Sequence, residues 1–386
     1  MMLKARPTRF APLVLALLAG CAPAAARPAA EATLKDVYRD AFRLGAAVNE
    51  EIVAGTDAAS QAIVVRQFNT ITNENALKAE RVNPRPGVFE WGPGDAFVAF
   101  GERHGLFIVG HTLVWHNQTP AWFFQDSAGR PNTREAQVER LRSHIQAVAG
   151  RYRGRIHAWD VVNEVVDNDG AYRPTTWVRG IGHGDSLVAL AFRFASQYAP
   201  GAELYYNDFN AWRPAKRDGI VRLVRMLQRQ GIRIDGIGMQ GHWGLHYPRT
   251  EYIEAAIDSF AATGVKVMIT ELDVDVLPLT REGQIIGQGM SDPQFQLEEF
   301  KAYLDPWPAG LPDSVQRRLA QRYEELFRLF WRKRDKLDRV TLWGVHDGMS
   351  WKNGYPIPNR TNYPLLWDRN RQPKPALSAV LAVPGR

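Results

Sequence analysis

The sequence of 386 residues is 45% hydrophobic, 23% charged and 11% aromatic, proportions of a globular chain that exclude a disordered or fibrous protein. Lys and Arg outnumber Asp and Glu by 48 to 41, a net +7. Three of those charges are Lys4, Arg6 and Arg9, and no recognition motif accompanies the rest, so nucleic acid is not an expected partner. A single cysteine, Cys21, excludes an internal disulfide framework and a thiolate-rich metal site.

Residues 1–20 read as an export signal, in which the basic residues precede the apolar run Phe10 to Leu18, too short to span a bilayer permanently. The run closes on Leu18-Ala19-Gly20-Cys21, which resembles the lipobox of bacterial lipoproteins, where the cysteine becomes the lipidated N-terminus. The alternative is cleavage within Ala24-Ala25-Ala26 and a soluble secreted protein. Residues 21–32, rich in Ala and Pro, then form a tether, and residues 33–386 a single domain. The expected location is a bacterial membrane, in the periplasm or at the cell surface, with membrane contact only through the lipid.

After the tether, a β-rich apolar run followed by a helical pattern recurs eight times. The predicted strands are Leu44 to Val48, Thr70 to Thr72, Phe107 to Trp115, Ile156 to Asn163, Glu203 to Asn207, Ile237 to Gln240, Val265 to Leu272 and Val340 to Val345. Between them lie amphipathic stretches such as Ile220, Leu223, Val224 and Leu227 after Pro214, and Asp313 to Lys336 with Leu319, Tyr323, Leu326, Phe327 and Phe330 on one face. Eight such units predict a (β/α)₈ TIM barrel, with a doubly wound open sheet as the alternative. The polar strand ends favour the barrel, where they converge on one mouth: Glu74 and Asn75, His111 and His116, Asn163 and Glu164, Asn207 and Asp208, Gln240 and His242, Glu271 and Asp273, His346 and Asp347.

Two of those strands, the fourth and the seventh, end in carboxylates within aromatic and amide surroundings, Trp159 to Glu164 and Ile269 to Asp273. Paired carboxyls across a barrel mouth suit glycosidic cleavage, one giving a proton to the leaving oxygen while the other attacks the anomeric carbon or activates water. His111, His116, His242 and His246 raise the alternative of a metal hydrolase, but their spacings do not give HExxH and leave the glutamates unexplained. No metal and no organic cofactor is expected.

Eight ordered segments between about residues 33 and 382 carry a family resemblance: ENALK at 74–78, GHTLVWH at 110–116, WDVVNE at 159–164, YYNDFN at 205–210, MQGHW at 239–243, ITELD at 269–273, VTLWGVHDGMSW at 340–351 and RTNYPLLWD at 360–368. The chain resembles glycoside hydrolase family 10, whose characterised members are mostly retaining endo-1,4-β-xylanases. The resemblance implies xylan or xylo-oligosaccharides as substrate. It makes Glu164 the acid/base and Glu271 the nucleophile, with His242 and Asp273 orienting the nucleophile and Asn163 bonding the sugar 2-hydroxyl. Glu74, Asn75, Lys78, His111, Gln118 and Gln240 match sugar-binding positions on the non-reducing side. Trp115, Trp343 and Trp351 match cleft-lining aromatics, and Phe209 is a candidate for the first leaving-group subsite.

The mechanism requires the two glutamates to differ, Glu164 protonated with a raised pKa and Glu271 ionised. Lys352-Asn353-Gly354-Tyr355 and the long irregular stretch Val276 to Pro312 are expected to border the cleft and to set subsite number and branch tolerance. No residues remain for a carbohydrate-binding module, and a monomer is expected. Two rival functions share the barrel, a retaining endo-β-1,4-glucanase and a non-catalytic polysaccharide-binding lipoprotein.

Overall fold

The computed structural model describes residues 32–277, 304–355 and 358–385. The export signal with Cys21, nearly all of the tether and residues 278–303 of the long stretch after the seventh predicted strand lie outside them.

Nine parallel strands form the sheet: β1 Arg43–Val48, β2 Thr70–Asn73, β3 Phe107–Val114, β4 Ala158–Asn163, β5 Glu203–Asp208, β6 Gly236–Met239, β7 His242–Gly244, β8 Lys266–Asp275 and β9 Leu337–Leu342. Each neighbour pair is parallel, and β1 pairs with β9 (Gly45 opposite Thr341), so the sheet closes on itself and the open-sheet alternative is excluded. The short β7 was not anticipated. β6 pairs with the first half of β8 and β7 with the second, His242 lying opposite Asp273, so β6 and β7 are one interrupted stave of an eight-stave barrel. The interruption falls at Gly241, whose φ of 89° lies in the left-handed region that glycine enters without steric cost. That break carries His242 onto the rim. β8 runs to Asp275, past the expected Leu272, because β7 gives its outer half a partner.

The ninth strand begins at Leu337, three residues before the predicted start, and ends at Leu342. Its first residues are masked in the sequence by charge. Arg339 is nevertheless buried inside the barrel, its guanidinium 5.3 Å from the centre of the Tyr205 ring, and Asp338 pairs with Arg43. Trp343 and Val345 therefore belong to the loop that follows. The fourth strand starts at Ala158, since the amide of Ile156 is still bound to the Tyr152 carbonyl in the turn after the preceding helix.

Among the described residues, eight helices of seven residues or more cover the barrel, one after each stave: α1 Ala58–Gln67, α2 Gly92–Arg103, α3 Arg134–Arg151, α4 Gly184–Tyr198, α5 Pro214–Arg229, α6 Thr250–Ala261, α7 Asp313–Arg332 and α8 Pro375–Leu381. Their starts follow local chemistry. Thr133 accepts from the Ala136 amide to cap α3, and Pro214 and Pro375 open α5 and α8, where a missing N–H costs nothing. α5 buries Ile220, Leu223, Val224 and Leu227 as its periodicity predicts. α7 buries Leu319, Tyr323, Leu326, Phe327 and Phe330, but stops at Arg332, four residues short of the predicted end. Beyond it Lys333 and Lys336 turn back to form ion pairs with Asp258 on α6.

The chain enters at the foot of the barrel. The short helix Leu34–Val37 lies against the end of α1, through Leu34 N to Gln67 Oε1 at 3.0 Å, and Tyr38 Oη donates to the Val380 carbonyl of α8 at 2.8 Å. At the opposite face, the described ends of the stretch after β8 are held by the 360–363 segment. Asn362 Nδ2 donates to Asp275 Oδ1 at 3.0 Å, and Thr361 N to Asp305 Oδ1 at 2.9 Å.

Candidate active site

β4 and β8 bring Glu164 and Glu271 to the mouth, both buried, within one frame of hydrogen bonds. Glu164 follows β4 directly, with a φ of 62°. Its Oε2 accepts from Trp115 Nε1 at 2.9 Å, and its Oε1 from Gln240 Nε2 at 2.9 Å and Asn163 Nδ2 at 3.2 Å. Glu271 Oε1 accepts from Asn207 Nδ2 at 2.7 Å, and the same amide donates to Asn163 Oδ1 at 2.9 Å. Asn207 thus joins the surroundings of the two glutamates. It was read only as a polar strand end, and it stands in a gap left by Gly238, where a Cβ would come within 2.3 Å of its Oδ1.

The other Glu271 oxygen, Oε2, is 3.0 Å from His242 Nε2, and His242 Nδ1 is 2.9 Å from Asp273 Oδ2. Burial lowers the imidazole pKa, but the two carboxylates outweigh it and raise it to about 9, so the ring is an imidazolium that donates from both nitrogens. Asp273 is fully buried. Burial pushes its carboxyl up, yet the charges of His242 and Lys352 and the Trp351 indole bond at 2.8 Å hold it below its ordinary value. Lys352, expected only to border the cleft, lies buried between Asp273 and Asp275, at 3.7 and 3.6 Å.

The Glu164 carboxyl departs from expectation. Burial would raise its pKa, but the bond from Gln240, the electrostatic influence of the neighbouring His116 ring, the Trp115 indole and the Arg173 charge together hold it below its ordinary value in the sugar-free cleft. The predicted raised pKa is therefore not found in this state. Gln240 and Asn163, expected to meet the sugar, both spend a donor on this carboxyl.

On the neighbouring staves, Lys78 Nζ donates to Asn75 Oδ1 at 3.1 Å and Gln118 Oε1 at 2.8 Å, and stands 5.0 Å from the centre of the Trp115 ring. Burial lowers the Lys78 pKa, against the opposing charges of Glu271, Glu74 and Glu164. Burial likewise raises Glu74, with Lys78 opposing. Glu74, Asn75, Lys78 and Gln118 are thus brought together with Trp115, and the surface lysine that Lys78 would ordinarily be is excluded. A cavity of about 500 Å³ opens beyond Asn75, lined also by Asn49, Glu50, Glu51 and Arg81. His111 is buried, its Nδ1 2.8 Å from Asp160 Oδ2 and its ring 5.3 Å from that of Trp343. Trp343 and Trp351 flank His242 at 6.4 and 4.8 Å, and Tyr355, in the segment expected to border the cleft, stacks on Trp351 at 5.3 Å and extends the aromatic wall. Phe209 lies between two cations, Lys216 at 3.9 Å and Arg173 at 5.1 Å from its ring centre.

Of the four histidines considered as metal ligands, His111 and His242 face carboxylates. Among the described residues no group of three or more His, Cys, Asp or Glu side chains is disposed to hold a metal ion. The arrangement has what displacement at an anomeric carbon needs: two carboxyls, each with its own set of donors, between a polar floor and an aromatic wall.

Comparison with known proteins agrees with this geometry. The profile of glycosyl hydrolase family 10 matches residues 33–383. An endo-1,4-β-xylanase A of Xylanibacter ruminicola is 40% identical over 361 residues, 93% of this chain and 95% of that protein. An endo-1,4-β-xylanase of Geobacillus stearothermophilus is 38% identical over 354 residues, 91% and 98% of the two chains. Among solved structures, an endoxylanase retrieved from a sugarcane soil metagenome superposes with a TM-score of 0.83 at 41% identity, covering 91% of this chain and 99% of its own. A mutant described in complex with xylotriose superposes with a TM-score of 0.79 at 32% identity, covering 91% and 99%. With the barrel, the strand-end glutamates and a match over nearly all of the described residues, the chain belongs to glycosyl hydrolase family 10.

Proposed function

We propose that the protein is an endo-1,4-β-xylanase that hydrolyses internal xylosidic bonds with net retention. The observation that carries this reading is the pair Glu164 and Glu271, on facing staves and linked through Asn163 and Asn207. The names of the relatives, xylanases over their whole length, supply the substrate.

In the first step the Glu271 carboxylate attacks the anomeric carbon as the glycosidic C–O bond breaks, and the Glu164 proton passes to the leaving oxygen. A glycosyl ester of Glu271 results. In the second, water attacks that carbon, Glu164 takes its proton, and the ester bond to Glu271 breaks. His242, charged and fixed by Asp273, holds one oxygen of Glu271 and leaves the other to Asn207, so the attacking group cannot rotate away. Since the sugar-free cleft holds Glu164 below its ordinary pKa, its proton is gained as sugar and leaving oxygen replace water beside it. Glu74, Asn75, Lys78, Gln118 and His111 form the polar side of the glycone subsites, and Trp115, Trp343 and Trp351 their aromatic side.

The test is product analysis of the domain, wild type and Glu271→Ala, on unbranched β-1,4-xylan and on β-1,4-glucan in parallel. Short xylo-oligosaccharides, formed by wild type only and initially in the β-anomer, are the expected result. Release from glucan alone replaces the xylanase reading with a glucanase, and binding without release from either polymer replaces it with a non-catalytic binding protein. A first product in the α-anomer overturns retention.

We propose further that the chain is exported and carries lipid on Cys21, a reading supported by the basic start, the apolar run and Leu18-Ala19-Gly20-Cys21. An unmodified mature N-terminus beyond Cys21 overturns it.

A further inference from the structure

Glu164 stands in a backbone conformation that side-chain-bearing residues rarely adopt, φ 62°, immediately after the last residue of β4. The direction of its carboxyl is therefore set by the turn over residues 164–166. The Glu164 amide makes the last ladder bond, to the Asn207 carbonyl at 2.9 Å. The next two amides, of Val165 and Val166, both donate to a single side-chain atom, Tyr206 Oη, at 3.2 and 3.0 Å.

An oxygen that accepts two N–H groups must send its own proton elsewhere, and Tyr206 donates it to Asp208 Oδ2. Asp208 Oδ1 in turn lies 2.7 Å from Lys216 Nζ, in the first turn of α5, where the ammonium faces the Phe209 ring. Tyr206, Asp208 and Lys216 have no exposed surface, so bulk solvent reaches none of the three. The register supports the same arrangement. The β4–β5 ladder slips between Asp160 and Val162, which sets Tyr206 opposite Val162 and aims it under the turn.

We propose that Tyr206, braced by Asp208 and Lys216, is a positioning residue for Glu164, acting through the backbone turn that carries it. This rests on the assignment of Glu164 as acid/base. Were the three residues only core filling, apolar side chains would serve, since a buried ion pair is seldom more stabilising than an apolar replacement of similar volume. What the polar set gives is direction: the Tyr206 proton, committed to Asp208, leaves both Tyr206 lone pairs to the turn. Without the hydroxyl the two amides lose their acceptor, and the carboxyl is no longer held against the leaving oxygen.

The test compares kcat/KM on xylotetraose, whose leaving sugar needs a proton, with kcat/KM on 2,4-dinitrophenyl β-xylobioside, whose leaving group does not. It uses wild type, Glu164→Ala, Tyr206→Phe and the paired change Asp208→Asn with Lys216→Met, each with a thermal melt. Wild-type cleavage of both substrates, with a selective loss on xylotetraose in Glu164→Ala, establishes the acid. If either fails, the acid assignment falls and the inference with it. Given both, Tyr206→Phe is expected to lose about tenfold or more on xylotetraose, in kcat rather than KM, and less than about threefold on the aryl substrate. The paired change is expected to follow in the same sense, more weakly. Parallel losses on the two substrates overturn the inference, as does wild-type behaviour. Where Tyr206→Phe does not fold, the paired change decides on the same criterion.

Discussion

His242 places one imidazolium between Glu271 and Asp273, and its charge has a pH signature. Its folded-state pKa of about 9 lies above the 6.5 of a free imidazole, so the charge contributes stability that is complete below pH 6.5 and is lost as pH rises through 9. The span corresponds to on the order of 3–4 kcal/mol. His242→Gln is expected to lower the melting temperature most at pH 6 and progressively less toward pH 9.5. A gap that is constant with pH would show that the ring is neutral in the fold. At this scale the sequence was readable where function and chain position coincide. Glu164, Glu271, His242 and Asp273 announce themselves as charged groups that end apolar strands or, for His242, closely follow one, and the barrel brings them to one mouth. Asn207 was passed over as a site residue because its role depends on neighbours from three other staves. The pKa of Glu164 was misread for a similar reason: nothing local in the chain tells that Gln240 and Trp115 converge on it as donors.

Among the elements, β6 shows how a strand serves a site without contributing a functional group. Gly238 faces the interior beside Asn207, and a methyl group there would meet Asn207 Oδ1 at 2.3 Å and Thr270 Cγ2 at 2.7 Å. Gly238→Ala is expected to cost about 1–3 kcal/mol of stability by overpacking. By displacing the amide that holds Glu271, it is also expected to lower kcat on xylan by about tenfold or more. Thermal melts alongside kcat separate the two effects, and unchanged kcat in a destabilised variant would remove Asn207 from the catalytic frame. Strands with apolar, β-branched sequences were located to within a few residues. The exceptions have a common cause. β9 hides its beginning because Arg339 is buried by stacking on Tyr205, and β7 is too short to show an alternation of its own. Residues 278–303, read as an irregular insertion beside the cleft, lie outside the described structure.

For the molecule as a whole, closure of β1 on β9 turns scattered polar strand ends into one site. Recurrence of the β-then-α unit made that architecture legible, although periodicity alone does not separate a barrel from an open sheet. The anchoring proposal also belongs to this scale. Cys21→Ser is expected to move the enzyme from the membrane pellet to the soluble fraction while kcat/KM on soluble xylo-oligosaccharides stays within about twofold, since a lipid acts by partitioning and not by contact with the cleft. Retention of the variant in the pellet would mean that something other than Cys21 holds it there.

The place where the chain joins the barrel carries one more consequence. Leu34 and Tyr38 are fastened at the foot, against the ends of α1 and α8, while every strand-end glutamate opens at the other end. The point at which a cargo, tag or support would be joined through Thr33 is therefore at the blind end of the barrel. An enzyme immobilised by that end presents its working face outward, where an insoluble polymer too large to diffuse can be brought to it.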